Sequence, residues 1–303
     1  MPKLYLAGNA RFYKAPAIGI GLDPTKATRR LFSYFYAVDN GRLVDFVQDS
    51  IDAKVDLFLD SGAFTAFTKG ATIDPQAYAN FIKGMPGVWG VASSLDHIGE
   101  GEEAAQKSFD NWQHLKYLGA DTRPVFHVRE PDAWLKRYMD LGEDYILIGG
   151  MVPESSQWLI ERLDHLFAEV ICDRDGNPKA KIHGFGLTDQ QVMFKYPWYS
   201  LDSASWMMTG IYGACLFRMP NGNLRKIIFS NDSPDKRHFD GWHYHVMPTE
   251  QRLEIDKWLL NYGVTAEQCA SHYSYRDRVN SAVFQSMEDE IPLTFTGGQR
   301  ALF

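Results

Sequence analysis

The chain has 303 residues, is 45% hydrophobic and 23% charged, and carries a formal net charge of −7. That length can form one barrel-sized domain, or a domain with an appendage, and the composition is that of an ordinary globular protein. No apolar run approaches the roughly 20 residues that span a bilayer, which excludes a membrane partner. The start, MPKLYLAGNARFY, lacks the layout of a signal peptide. Three scattered cysteines, Cys172, Cys215 and Cys269, imply no disulfide framework, so a reducing, cytoplasmic setting is expected.

In chain order, LYLAG (4–8) reads as a strand and 41–53 as a helix, followed by the strand VDLFLD (55–60). Helix 74–84 opens on Asp74-Pro75, a capping acid ahead of a proline at the first helical position. The strand VWGVASSLD (88–96) precedes helix 101–119, which closes on Gly119, where a left-handed terminator belongs. Next come the strand RPVFHV (123–128), helix 131–141 behind a similar Glu130-Pro131 start, and the strand YILIGG (145–150). Helix 154–171, the strand KIHGFG (181–186), helix 188–195 and the strand WYSLD (198–202) complete seven strand units. Near-continuous apolar strands alternating with helices predict a parallel sheet covered on both faces. With KIIF (226–229) as a candidate eighth strand, the pattern predicts an α/β fold of the (β/α)8 TIM-barrel class. A doubly wound open sheet is the alternative, but the first strand is not followed by a Gly-rich phosphate loop.

Beyond residue 210 the pattern changes. GACLFRMPNGNLRKIIFS (213–230) alternates in two apolar runs around Pro-Asn-Gly-Asn, a hairpin by its turn chemistry. Helices follow at about 249–261 and 265–289. The expected division is a barrel over 1–230, hairpin included, with a helical appendage over 231–303.

Acids occupy a consistent place. Asp60, Asp96 and Asp202 each end an apolar strand, and Gly149-Gly150 and Gly184-x-Gly186 end two others. A single Asp after a strand is ordinarily a helix cap or a turn former. In a parallel barrel, however, all C-terminal strand ends meet on one face, so three such acids would converge. Burial and mutual repulsion would then separate their pKa values and their roles. Phe64, Trp206 and Met151 could equally be plain core residues.

The motif order resembles the guanine transglycosylases that act on tRNA, and more closely their DNA-modifying phage and bacterial relatives, the DpdA proteins. Asp60-Ser61-Gly62-Ala63-Phe64 is similar to the family's Asp-Ser-Gly-Gly-aromatic motif, with one Gly→Ala change. Asp96, in SSLDHIG, falls where the family reads the guanine edge. His127 stands where the family has Gln. Gly149-Gly150-Met151-Val152-Pro153-Glu154 is similar to its Gly-Gly-Leu-Ala-Val-Gly-Glu loop, and His183-Gly184-Phe185-Gly186 to its Met-Gly-Val-Gly segment. Asp202, in SLDSASWM, falls on the nucleophile. The match runs over about 55–230 in collinear order. The Pro-Thr-Arg after the tRNA enzymes' nucleophile is replaced by Ser203-Ala204-Ser205, and their zinc signature is missing, which favours the DNA branch.

The resemblance implies exchange of guanine for a 7-deazaguanine (preQ0- or preQ1-like) through a covalent aspartyl–sugar intermediate. Asp202 would attack, held by backbone N–H groups or hydroxyls such as Ser203, and Asp60 would act as general acid/base. Asp96 would accept from the guanine edge, Ser61, His127, Gly149, Gly150 and Met151 would complete the base site, and Phe64 and His183 would sandwich the ring. The substrate would be DNA with a flipped or single-stranded guanine, plus a free base. Residues 211–240 carry five basic and three acidic side chains, and Arg218, Arg225, Lys226, Lys236 and Arg237 become phosphate-contact candidates. The net acidity leaves room for a partner protein that supplies grip on DNA. No cofactor is expected. His243, His245, Cys269 and His272 have spacing that could bind zinc, though surface histidines account for them more cheaply. The rival readings are a tRNA enzyme, a barrel glycosidase with paired acids, and a non-catalytic nucleic-acid-binding subunit on the same scaffold.

Overall fold

The computed structural model describes residues 1–8, 29–36, 55–219, 222–234 and 242–297. The expected helix 41–53, Lys236, Arg237 and the Pro220-Asn221 turn pair lie outside the described residues.

Eight parallel strands form one curled sheet: β1 (Lys3–Ala7), β2 (Arg29–Ser33), β3 (Asp56–Asp60), β4 (Trp89–Ala92), β5 (Val125–His127), β6 (Tyr145–Gly149), β7 (Lys181–Gly184) and β8 (Ser200–Ser203). Their order is β4-β3-β2-β1-β8-β7-β6-β5. The two edges approach one another just past β4. Ser93 bridges Arg123 in parallel sense, with Arg123 N donating to Ala92 O and Ser94 N to Arg123 O, each at 2.8 Å. This is an α/β fold of TIM-barrel type. β6, YILIG, is buried at every position, as a strand covered on both faces must be.

The sheet holds a strand that the sequence pattern passes over, and it excludes one that the pattern supplies. Residues 226–229 were expected as the eighth strand. Instead β10 (Leu224–Ile228) pairs antiparallel with β9 (Ala214–Arg218) in the hairpin. The eighth sheet strand is β2, RRLFS. Two adjacent arginines mask its apolar core, although Arg30 is only 2% exposed.

The helices of this region are α1 (Ala63–Thr68), α2 (Pro75–Lys83), α3 (Gly101–Tyr117), α4 (Asp132–Asp140), α5 (Ser156–His165) and α6 (Gln190–Met193). Asp74 caps α2 by accepting from Gln76 N at 3.1 Å, and Gly119 closes α3 with φ 77°. α3 buries Phe109, Trp112 and Leu115 on one stripe, each contributing about 1.5–3 kcal/mol of apolar burial. α5 runs into a π-helical turn at Leu166–Ile171. Glu130 does not cap α4. Pro131 holds the cap position and Glu130 is buried.

Two compact units divide the chain. The first holds β1, Arg29–Ser203 and the segment from Glu288 onward; the second holds Ala204–Met287. The boundary thus falls before the hairpin, not at the expected 230, because the hairpin shares its core with the helices. Leu216, Ile227 and Phe229 cluster with Ile255, Leu259 and Val283. Helices of this second unit are α7 (Ser205–Ile211), α8 (Thr249–Leu260), α9 (Ala266–Ser271) and α10 (Tyr273–Gln285). The expected continuous helix 265–289 breaks at His272, whose backbone is extended (φ −149°, ψ 142°).

The returning segment is bound into the first unit. A Glu288 carboxylate oxygen accepts from Leu4 N at 2.9 Å and pairs with Arg29. Phe295 N donates to Gly176 O at 2.8 Å, and its ring stacks on Tyr196 at 5.8 Å. Gly176 is required there, since it has φ 79° and a Cβ would lie 2.1 Å from Phe295 O. Among the described residues, no helix is long and apolar enough to cross a membrane.

Candidate functional site

Parallel pairing puts the C-terminal ends of β3 to β8 on one edge of the sheet, and the acids follow. Asp60 is the last residue of β3 and pairs in register with Ser33. The chain then turns at Gly62 (φ 79°) into α1. A Cβ at Gly62 would lie 2.5 Å from the Phe35 Cβ and the Ser33 hydroxyl, so glycine is needed for both conformation and space. Gly62 N donates to Asp60 Oδ2 at 3.0 Å.

Asp60 is the most perturbed of the three acids. Burial pushes its carboxyl up to about 7, and the charges of Asp96 and Asp202 push in the same direction. The ends of β3 and β8 and the segment after β4 thus bring acids of one sign to one sheet edge. Asp96 receives His127 Nε2 at 2.9 Å and the Ser61 hydroxyl at 3.5 Å. Burial works against charge on His127, yet Asp96, with Glu130 behind, outweighs it and holds the ring above its usual pKa. Gly149 and Gly150 lie against this imidazole, where Cβ atoms would meet His127 carbons at 3.0 and 3.1 Å. Met151 is buried.

Asp202 is anchored through one oxygen. Its Oδ1 accepts from Gly186 N at 2.9 Å and faces His183 Nε2 at 3.2 Å. His183 is fully buried among the Phe58, Phe185 and Tyr5 rings, at 4.5, 4.6 and 6.3 Å. His183, expected to stack on a planar ligand, turns its Nε2 edge to Asp202 from this buried position. Phe64 is 60% exposed on α1. Ser203, the expected hydroxyl donor, is fully buried.

The remaining candidates are elsewhere. Arg218, Arg225 and Lys226 belong to the second unit, where Arg225 lies 4.1 Å from the Trp242 ring. Cys269 is buried with its sulfur 3.9 Å from that of Cys215. His272 accepts from Ser274 N, and His243 from His245 N, each at 3.2 Å. Among the described residues, no group of three or more His, Cys, Asp or Glu side chains is placed to hold a metal.

Glu130 is the site-proximal acid that sequence reasoning misses. Burial raises its carboxyl to about 7, and neither oxygen finds a hydrogen-bond partner among the described residues. Its place before a proline imitates a capping signal, which hides it. No protein-family model matches the chain, and a search of curated proteins likewise finds no match.

Proposed function

We propose that the chain is a base-exchange transglycosylase that replaces guanine in DNA with a 7-deazaguanine through a covalent bond between Asp202 and the sugar. The observation that carries this reading is the division of labour among three mutually repelling carboxylates at one sheet edge. One is pushed to about 7, and another is anchored by two donors. In the first half-reaction an Asp202 oxygen bonds to C1′, the C1′–N9 bond breaks, and the electron pair leaves with the base. Asp60 supplies the proton that neutralises the leaving base. In the second half the incoming base gives its ring proton to Asp60, its nitrogen attacks C1′, and the electron pair of the C1′–O bond returns to Asp202. An acid/base group poised near neutrality suits both directions. Asp96 and His127 would read the base edge, with the Gly149-Gly150 backbone close by.

The same reading takes the curled sheet as a closed (β/α)8 barrel with the hairpin and helices as its appendage. Arg218, Arg225 and Lys226 would then serve as phosphate contacts. The test is incubation of DNA bearing labelled guanine with a candidate 7-deazaguanine, followed by nucleoside mass spectrometry. The expected result is label release matched by the deazaguanine nucleoside, and its loss in Asp202→Ala. Exchange confined to tRNA would move the activity to the tRNA branch. No exchange, with thermal stabilisation by sugars and none by purines, would replace the proposal with a glycosidase.

A further inference from the structure

Behind Asp202 runs a buried chain of polar groups. The Tyr145 hydroxyl lies 2.6 Å from Ser200 Oγ, Ser200 Oγ lies 2.6 Å from His183 Nδ1, and His183 Nε2 lies 3.2 Å from Asp202 Oδ1. All four residues are buried, and they come from β6, β7 and β8. Two β8 residues, Ser200 and Asp202, point to the same side by the two-residue strand period, and His183 bridges them from the neighbouring strand.

The direction of this chain follows from proton accounting. A carboxylate accepts and cannot donate, so Nε2 must carry the hydrogen that faces Asp202. Burial lowers the His183 pKa against the opposing pull of Asp202, so the ring is neutral and Nδ1 is an acceptor. Ser200 must then donate to Nδ1, which leaves its oxygen to accept from Tyr145. Burial pushes the Tyr145 hydroxyl above the usual phenol range, so it remains a donor.

We propose that Tyr145, Ser200 and His183 form a one-way hydrogen-bond relay that locks His183 as the Nε2–H tautomer and pins Asp202 by Oδ1, leaving Oδ2 as the attacking atom. They are positioning residues, acting through Asp202. The kinetic consequence rests on the transglycosylase reading. When the C1′–O bond breaks, the electron pair returns to the Asp202 carboxylate, and the pinned carboxylate is the better leaving group. Loss of the relay therefore prolongs the covalent intermediate.

The test combines nitrogen NMR of the full-length protein labelled at histidine with exchange kinetics. The His183 signal is assigned by its disappearance in His183→Gln. The expected result is a neutral Nε2–H tautomer throughout, with the Nδ1 signal moving toward that of an acceptor nitrogen without a donor in Ser200→Ala and, more weakly, in Tyr145→Phe. Exchange should fall about tenfold and about threefold respectively, as loss of one hydrogen bond to a charged network implies, with a longer-lived DNA adduct. An Nδ1–H tautomer in the wild type, or an Nδ1 signal unmoved in both variants, overturns the relay. Should Ser200→Ala not fold, the near-isosteric Tyr145→Phe carries the test. An Nδ1 shift without exchange on any substrate leaves the relay standing and removes the transglycosylase. Wild-type exchange rates in both variants remove the relay and keep the enzyme.

Discussion

The strand DLFLD has an aspartate at each end, and the two are treated oppositely. At the N-terminal end, Asp56 meets Lys3 at 2.8 Å, takes the Tyr5 hydroxyl at 3.2 Å and lies 3.9 Å from Arg29. Nearby, Glu288 pairs with Arg29, and Asp144 with Lys181 at 3.2 Å. At the C-terminal end, Asp60 has no cationic partner among the described residues and instead feels Asp96 and Asp202. One end of the sheet neutralises its acids, and the other concentrates them. Neutralised acids stabilise a fold, whereas clustered acids cost it stability.

Substitutions should separate the two ends. Asp202→Asn should reduce exchange by at least about a thousandfold and abolish the DNA adduct, measured by single turnover and denaturing gel, with folding intact. Glu288→Ala at the opposite end should cost about 2–4 kcal/mol in chemical denaturation, because it removes the buried carboxylate that Arg29 and Leu4 N–H share. The folded fraction of Glu288→Ala should exchange bases normally. Asp96→Asn should lower kcat/KM for guanine by about a hundredfold while relaxing base choice, read from competition between purines.

Asp60→Asn should raise stability, with a pH dependence of definite sign. Burial, with the charges of Asp96 and Asp202, pushes the native carboxyl from the usual 3.8 up to about 7, so the folded state binds the extra proton between those values. Wild-type stability therefore falls as pH rises through that window. The variant should gain on the order of 1–2 kcal/mol over wild type above pH 7 and nothing below about pH 4, as thermal melts across pH would record. An Asp60→Asn gain that is the same at pH 5 and pH 8 would mean that burial and the neighbouring acids do not raise this carboxyl.

Much of this contrast is legible in the sequence. An acid that terminates an apolar run is visible as such, and parallel β/α alternation dictates that such acids share an edge. What periodicity does not carry is partnership. Arg30 reads as surface charge yet is buried in β2, so that strand is overlooked and the hairpin strand takes its place in the count. Glu130 looks like a helix cap because it precedes a proline, although its carboxyl is turned into the protein. His183 looks like a stacking ring because aromatic character is written in the letters. The bond to Asp202 depends on two strands being neighbours, which the letters do not record.

The return of the chain to β1 and Gly176 after residue 288 bears on synthesis. A ribosome releases Glu288 and Phe295 only after all eight sheet strands, so the first unit waits for these residues before its earliest strand is secured. A polypeptide ending at Ser203 would contain Asp60, Asp96, Glu130 and Asp202 and still lack the clasp that closes on Leu4. Any shortened version for expression has to keep this tail, or supply it separately as a peptide.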